Sequence, residues 1–427
     1  MDNQLSGQSR RSAQSNQQRL RELLRRVAFG KGRLQLLAWA VWPSGHFNRN
    51  FGPTHCFAAV PSSYNAGGHT SMDCPVLREN WRDVIRIMGA SLSLPTVVSL
   101  FSGAGGLDLG YREAGFPLAL AVDQSAAAIK THMKNFKIPK SISADLVELG
   151  PAGVLRHLES LLKPGQSIGV IGGPPCQGFS RANTGSETSD PRNKLPLLYL
   201  DIIEALQARY SVEFVLFENV LGIRDAKHAS TFQGILSKFD DLGLTSGVGH
   251  YSALDFGVPQ KRNRVIISAF ADPVAAVAFS PTKLKAENLT VRAAIGELPE
   301  PVFFSRDLTP EKIPFHENHW TMRPISKRFS DPSLTKRAGR CFRRLEWDEP
   351  SPTVAYGHRE IHVHPSGVRR LSVLEAMLLQ GFPKEFVLKG TLSAQVEQVS
   401  NAVPPPLAFA LADATARALP DANPSLQ

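Results

Sequence analysis

Cysteine is scarce in this chain, with four in 427 residues. Cys56, Cys74, Cys176 and Cys341 are widely scattered, which excludes a disulfide framework and points to a reducing compartment. Long apolar runs are missing too. The best, Leu34 to Trp42, is about half of the ~20 residues that a membrane span needs, so no membrane partner is expected. That run follows a basic, Ser-rich, acid-poor start, but the polar leader is too long for an ordinary signal peptide and no clean small-residue cleavage site follows. Paired metal-ligand spacing is lacking as well. His55, Cys56, His69 and Cys74 form neither C-x-x-C nor H-x-x-x-H, and no metal site is expected. There is no internal repeat. Acidic residues are in deficit, 38 Asp and Glu against 48 Lys and Arg, leaving a net charge of +10. That balance favours an acidic partner, with nucleic acid the first candidate.

What the chain does have is enough hydrophobic content, 42%, to fill a sizeable core, and length for two or three domains. Residues 1–92 differ from the rest. Their first fifty carry nine Arg or Lys against two acids, Asp2 and Glu22, with many Gln and Ser. Gln17 to Phe29 has the pattern of a short basic amphipathic helix. A solvated, partly disordered extension is favoured here over a DNA-clamping arm or a regulatory module.

From Pro95 the texture becomes α/β. Thr96 to Phe101 reads as a buried strand entering Ser102-Gly103-Ala104-Gly105-Gly106-Leu107-Asp108, then a helix through Ala114. Strand, Gly-rich turn and helix make the first unit of a doubly wound sheet, with backbone amides free to approach a ligand. Asp108 stands where the dinucleotide fingerprint G-x-G-x-x-G has its last glycine. Leu118 to Val122 is the next strand and ends in Asp123, about 20 residues after the glycines, where an acid can hold ribose hydroxyls. Ser125 to Phe136 reads as helix, and Asp145 ends a further short segment. Each acid taken alone is equally readable as a helix cap; their order after the glycines raises both.

The stretch around which the chain is organised follows. Ile168 to Ile171 is an apolar strand that Gly172-Gly173-Pro174-Pro175 stops in a tight turn presenting Cys176. Arg181 to Leu195 is polar and reads as a loop. A thiol at the end of a central strand beside such a loop is placed as a nucleophile, although a lone Cys is more often a buried structural one. Leu197 to Ala208 reads as helix and Val212 to Phe217 as a strand ending in Glu218-Asn219-Val220. Gln260-Lys261-Arg262-Asn263-Arg264 precedes the strand Val265 to Phe270, and strand alternation puts Gln260, Arg262 and Arg264 on one side. From Ala286 to Gly367 apolar runs shorten, and basic residues such as Arg323, Lys327, Arg340 and Arg344 interleave with Phe315, Trp320, Phe342 and Trp347, which suits a nucleic-acid surface. Ser372 to Glu375 is a capping box for a helix through Gln380, and a last apolar helix ends at Ala418.

Taken in order, these blocks resemble the DNA (cytosine-5)-methyltransferase family over about residues 95–418. Phe101 to Gly106 is similar to the family's S-adenosylmethionine loop, Pro174-Pro175-Cys176-Gln177 to its nucleophile motif, and Glu218-Asn219-Val220 to its E-N-V block. Gln260 to Arg264 is similar to the Q-x-R-x-R block, Arg369-Arg370-Leu371-Ser372 through Pro383 to the motif closing the recognition domain, and Asn401 to Pro405 to the last cofactor motif. The chain departs from the pattern at Asp123 (usually Glu), at Gln124 (often a bulky side chain) and at Ser400 (usually Gly).

The resemblance implies a Rossmann-like α/β S-adenosylmethionine-dependent methyltransferase fold with a smaller, loop-rich target-recognition domain. The implied organisation is a basic extension at 1–92, a catalytic and cofactor-binding domain at 93–285, target recognition at 286–395, and a C-terminal segment at 396–427 that returns to the catalytic domain. The implied catalytic residues are Cys176, adding to carbon 6 of a flipped cytosine, with Glu218, Arg262 and Arg264 around the base. Cofactor contacts fall on Phe101, Gly103, Gly105, Gly106, Leu107, Asp123, Asp145, Pro175 and Asn401, and DNA contacts on Gln177, Ser180, Arg181, Arg192 and Gln260. S-adenosyl-L-methionine is the implied cofactor, double-stranded DNA the substrate, and a restriction endonuclease the companion of a monomeric bacterial cytoplasmic enzyme. Two rivals stand beside this reading: the same chemistry on transfer RNA, and a catalytically inactive DNA-binding regulator. The Cys-Phe-Thr tripeptide usual in the RNA branch is missing here, and joint retention of Cys176, Glu218 and Arg264 speaks against the regulator.

Overall fold

Short aliphatic runs closed by glycine or an acid are too short for buried helices and become the strands of a sheet covered on both faces. The computed structural model describes residues 94–175, 195–329, 343–353, 355–356 and 360–419. The basic helix expected at Gln17 to Phe29, the residues His55, Cys56, His69 and Cys74, and the site residues Cys176, Gln177, Ser180, Arg181 and Arg192 lie outside them. All described residues belong to one unit, Leu94–Asp421.

In chain order the strands and helices alternate: β1 (Thr96–Leu100), α1 (Gly106–Glu113), β2 (Leu118–Asp123), α2 (Ala126–Asn135), β3 (Lys140–Ser143), α3 (Leu146–Glu159), β4 (Ser167–Gly172), α4 (Leu195–Gln207) and β5 (Ser211–Asn219). Then come α5 (Ala229–Asp241), β6 (Thr245–Ser252), β7 (Gln260–Lys261), β8 (Asn263–Phe270) and α6 (Pro273–Ala278). Four helices punctuate the remainder: α7 (Val291–Ile295), α8 (Val373–Leu379), α9 (Leu392–Asn401) and α10 (Pro405–Ala418). The sheet order is β3-β2-β1-β4-β5-β8-β6, with the first five strands parallel and β8 antiparallel to both β5 and β6. The order reverses between β1 and β4, so the crevice outside their carboxyl ends is where a doubly wound sheet binds ligands.

Alternation along the strands sorts their side chains into two cores. Val98, Leu100, Val215, Phe217, Val265 and Ile267 point to one face with Leu158 of α3, Ile203 of α4 and Ile235 of α5. Val97, Phe214, Leu216, Ile266 and Phe270 point to the other with Leu107 and Tyr111 of α1, Ala275 of α6, and Leu407 and Leu411 of α10. A third cluster gathers α7, α8, α9, Phe382 and Phe386 around Ala104, Leu109 and Phe136, so the loop-rich part is built directly against the first glycine turn. The expected capping box is formed: Ser372 Oγ accepts from the Glu375 amide at 3.1 Å and Glu375 Oε2 from the Ser372 amide at 2.7 Å.

The C-terminal helix reaches α1 through glycine. A Cβ at Gly110 would lie 2.3 Å from the backbone of Ala408 and Phe409, and one at Gly106 would lie 2.4 Å from the Val403 carbonyl oxygen. Tyr111 and Thr415 join the same two helices by a hydrogen bond of 3.3 Å. Gly110→Ala is therefore expected to cost about 1–3 kcal/mol, the usual penalty of overpacking, read as a lower urea midpoint with an unchanged slope.

Candidate active site

The loop from β1 to α1 is held in an uncommon backbone shape. Phe101, Gly103 and Gly105 all have positive φ, 54°, 55° and 89°; for Phe101 that is a strained conformation of the kind found where backbone must face a ligand. The Gly103 amide donates to Asp123 Oδ2 at 2.9 Å, and the Ser125 amide donates to Asp123 Oδ1 at 2.8 Å. Asp123 is thus fixed at the carboxyl end of β2, beside the glycines. Burial pushes its carboxyl above the usual aspartate range; the Ser125 and Gly103 amides pull it down, while Glu397 and Asp108 push it further up. Asp145 has a second task, since its Oδ1 caps α3 by accepting from the Val147 amide at 2.8 Å. The cap reading and the ligand reading are compatible, because one carboxylate oxygen remains.

A small polar ligand fits this corner. Among the described residues nothing stands within 4 Å of where a Gly103 Cβ would be, so the backbone there faces open space between them. Ser102 Oγ is buried and has no hydrogen-bond partner among the described residues. With Asp123 beside them, these groups offer backbone amides, a hydroxyl and an acceptor to a nucleoside carrying an amino-acid end. Leu107 is turned into the core instead and can contribute only backbone. Asn401 is exposed at the end of α9, next to the Ala402–Val403 turn that presses on Gly106.

The second corner lies where β4 and β5 end. A Cβ at Gly172 would lie 2.4 Å from Leu100 O, and one at Gly173 would lie 2.8 Å from Glu218 Oε2. Only glycine lets this turn lean on both neighbours. Asn219 Nδ2 donates to Pro174 O at 3.4 Å, tying the turn to the end of β5. Pro175 is the last described residue before Cys176. Glu218 faces Ile266 across β5 and β8, so Arg264, two residues away on β8, shares its face and is a diagonal neighbour. Arg264 Nε stands 2.7 Å from Glu218 Oε1, with 13% and 11% of the two side chains exposed, and Arg264 Nη1 donates to Asn263 O at 2.8 Å.

Gln260 and Arg262 precede that strand. Arg262 separates β7 from β8, and β7 pairs with Ser351–Pro352 rather than with the main sheet. Gln260 is fully buried; its Nε2 donates to Gln380 Oε1 at 2.7 Å. Arg262 is 1% exposed, and its Nη2 donates to Ser400 O and Ala402 O, both at 2.8 Å. Gln380 Nε2 donates to Ala402 O as well, at 2.7 Å. Both expected substrate contacts are thus buried in this structure: Arg262 holds the turn that follows Asn401 directly, and Gln260 does so through Gln380.

A buried ion pair braces the loop-rich part. Arg369 gives Nη1 and Nη2 to the two oxygens of Glu375, each at 2.9 Å, and Nε to Glu300 at 2.8 Å. Both partners of the inner pair are almost fully buried, 3% and 1% exposed. Arg369→Leu would strand the Glu375 carboxylate and is expected to cost about 3–5 kcal/mol, measured by denaturant unfolding; Arg369→Lys, which loses the two-pronged geometry, should recover only part.

Sequence reasoning had no way to find the partnerless Ser102 Oγ or the contact of Gly173 with Glu218. Asn219 was in view only as part of its block; a polar amide ending an apolar strand is the signal that marks it. Among the described residues no group of three or more His, Cys, Asp or Glu is gathered as for a metal ion, and no helix is long and apolar enough to cross a membrane.

Comparison with known proteins places this geometry. The chain is 33% identical over 337 residues to the type II methyltransferase M1.HphI of Haemophilus parahaemolyticus, covering 75% of this chain and 86% of that one. It is 32% identical over 342 residues to the type II methyltransferase M.MthTI of Methanothermobacter thermautotrophicus, covering 74% and 95%. Among solved structures, one described as a DNA modification methyltransferase encoded within an E. coli prophage matches with a TM-score of 0.60 at 25% identity, covering 75% of this chain and 98% of that one. The Entamoeba histolytica methyltransferase EhMeth, at 16% identity and a TM-score of 0.52, shares the fold. The family model for C-5 cytosine-specific DNA methylase matches residues 95–417, nearly the whole described chain, and the protein belongs to that family of DNA (cytosine-5)-methyltransferases.

Proposed function

We propose that this enzyme methylates carbon 5 of a cytosine flipped out of a short, specific double-stranded DNA sequence, through a covalent bond between Cys176 and carbon 6. The observation that carries the reading is the Glu218–Arg264 pair, set at 2.7 Å under the Gly173 turn from which Cys176 continues. Carbon 5 of cytosine is a poor nucleophile, and addition of a thiolate at carbon 6 converts the ring to an enamine that is a good one. A free thiol has a pKa of about 8.5, so the site must lower it or deprotonate it on attack. Glu218 holds ring N3 and the exocyclic amine and offsets the charge that develops there. Arg264 orients Glu218 and holds the base's O2. After transfer a base removes the carbon-5 proton, the carbon–sulfur bond breaks and the thiolate leaves. The target carbon lies inside the duplex stack, hence the flipping.

S-adenosyl-L-methionine, the cofactor that family and fold imply, supplies a methyl group made electrophilic by its sulfonium. Phe101, Gly103, Gly105, Gly106 and Leu107 would hold it through backbone, Asp123 through the ribose hydroxyls, and Asp145, Pro175 and Asn401 around the adenine and the methyl end. A ribose diol donates to an ionised carboxylate. Affinity for S-adenosylhomocysteine should therefore fall as pH drops, beginning above the usual aspartate range because Asp123 titrates high. Asp123→Asn should bind about tenfold more weakly and lose that slope; calorimetry across a pH series reads both.

In the full proposal residues 93–285 and 396–427 form the catalytic part and 286–395 read the DNA sequence. Gln177, Ser180, Arg181 and Arg192 meet DNA from the loop after the nucleophile. The enzyme is a monomer of the bacterial cytoplasm and the modification half of a restriction-modification system, its companion endonuclease cutting the same site. The test is bisulfite sequencing of a host genome lacking cytosine methylation after expression of the chain. One short motif carrying 5-methylcytosine supports the reading. An unmarked genome with soluble protein that binds S-adenosylhomocysteine would turn attention to transfer RNA, and absence of methylation on either substrate to a DNA-binding regulator.

A further inference from the structure

Asp108, the residue that breaks the dinucleotide fingerprint, has no part in the chemistry above, yet it is fully buried and ionisable. Its Oδ2 accepts from Ser99 Oγ at 3.0 Å. Ser99 is the next-to-last residue of β1 and Asp108 lies in the first turn of α1, so this bond closes the base of the loop 101–106. Oδ1 of Asp108 stands 3.2 Å from His132 Nε2, and His132 Nδ1 stands 3.0 Å from Ser141 Oγ on β3. His132 is itself fully buried on α2. A chain of four side chains thus runs β1, α1, α2, β3, directly beneath the glycine turn.

The same histidine touches the turn. Its ring stacks on Phe136 at 4.2 Å and 14°. A Cβ at Gly105 would meet Phe136 Cε2 at 2.5 Å and His132 Cδ2 at 3.0 Å, so the left-handed Gly105 rests on this stack. Arg112 covers the Phe136 ring, 4.6 Å from its centroid, and donates to Asn135 O at 2.7 Å. An aspartate facing a ring nitrogen at hydrogen-bond distance takes its hydrogen, which sets Nε2 as the donor and fixes the ring plane on which Gly105 lies.

We propose that Asp108 and His132 are positioning residues for methyl transfer, forming with Ser99 and Ser141 a buried clasp that keeps the loop 101–106 in its cofactor-binding shape. The clasp touches neither cofactor nor base. It acts by holding the loop's two ends together, so that the Gly103 amide and the Asp123 carboxylate keep their places. The inference rests on the assignment of that loop to S-adenosylmethionine.

Two variants of the full-length enzyme separate hydrogen bonding from packing. His132→Phe keeps a ring on Phe136 but gives nothing to Asp108; His132→Gln keeps a donor at the same reach without the ring. In His132→Phe the KM for S-adenosylmethionine and the Kd for S-adenosylhomocysteine by calorimetry should rise about tenfold, the scale of one hydrogen bond to a charged group, while the KM for DNA stays unchanged. His132→Gln should return within about threefold of the intact enzyme. Equal loss in both variants, a Phe variant that binds as tightly as the intact enzyme, or KM values for cofactor and DNA that rise together would each overturn the proposal. Should the Phe variant not fold, Ser141→Ala decides, with a loss of about threefold expected and unchanged affinity overturning it. If the intact enzyme fails to bind S-adenosylhomocysteine, the assignment of the loop falls, and this inference with it.

Discussion

Methylation by the Cys176→Ala variant is expected to vanish, with a loss of at least about 10⁴-fold in kcat, the scale on which removing a covalent nucleophile costs other enzymes. The size follows from the substrate. Without addition at carbon 6, carbon 5 of cytosine keeps the electron demand of an aromatic ring, and positioning beside a sulfonium does not make it a nucleophile. Alanine removes only the sulfur. The glycines that shape the turn, the Asn219 tie to Pro174 and the Glu218–Arg264 pair are all outside that change. Binding of S-adenosylhomocysteine, which the reading places on the loop 101–106 and Asp123, should therefore stay within about twofold, since no hydrogen bond to it is lost. Bisulfite sequencing reads the first quantity and calorimetry the second. Methylation surviving in this variant would remove the covalent mechanism altogether; loss of both activity and binding would mean that alanine disturbed the turn rather than the chemistry.

The doubly wound sheet was legible because its strands are buried on both faces and therefore appear as unbroken apolar runs, as in Ile168 to Ile171 and Val212 to Phe217. Three elements escaped for physical reasons. β6 is an edge strand, Thr-Ser-Gly-Val-Gly-His-Tyr-Ser, with two glycines and little to bury, so no run announces it. The helix α3 contains Gly150 and Pro151, residues that ordinarily interrupt a helix, and the structure does kink there, at a Gly150 φ of 61°. The helix α9, with its polar Ser, Gln and Asn, buries Val396 and Val399 in the cluster of the loop-rich part rather than in the sheet. At the site, Glu218 and Arg264 were legible as members of two motif blocks, while the antiparallel register that brings them together is seen only in the structure. The burial of Gln260 and Arg262 was not legible, because it depends on partners far along the chain: Gln380 for the first, and for the second the Ser400 and Ala402 carbonyls, 138 and 140 residues away. For the same reason Asp108 read only as a departure from a glycine pattern: its partner His132 lies on another helix.

Glu218→Gln separates the two things that this carboxylate does. Its Oε1 faces Arg264 Nε at 2.7 Å, and its Oε2 lies against Gly173, close to the turn that delivers the nucleophile. Glutamine keeps the shape and an acceptor for Arg264, so the arginine is not left without a partner, and folding stability should fall by well under the about 3–5 kcal/mol that breaking a buried pair costs. What glutamine cannot do is balance charge or exchange a proton as the thiolate adds to carbon 6. A group with that role contributes about 10²–10⁴-fold to rate, and kcat should drop in that range, with the KM for S-adenosylmethionine unchanged. Glu218→Ala should lose the same rate and also lower the denaturant midpoint, because it leaves the Arg264 cation in a largely closed site. Single-turnover methylation of a DNA carrying the recognition sequence, run beside urea unfolding, distinguishes the two variants. A Gln variant with full kcat would assign Glu218 to holding Arg264 alone and leave the protonation of ring N3 to another group. A drop in kcat confined to the Ala variant would say the same, since only there is the pair broken.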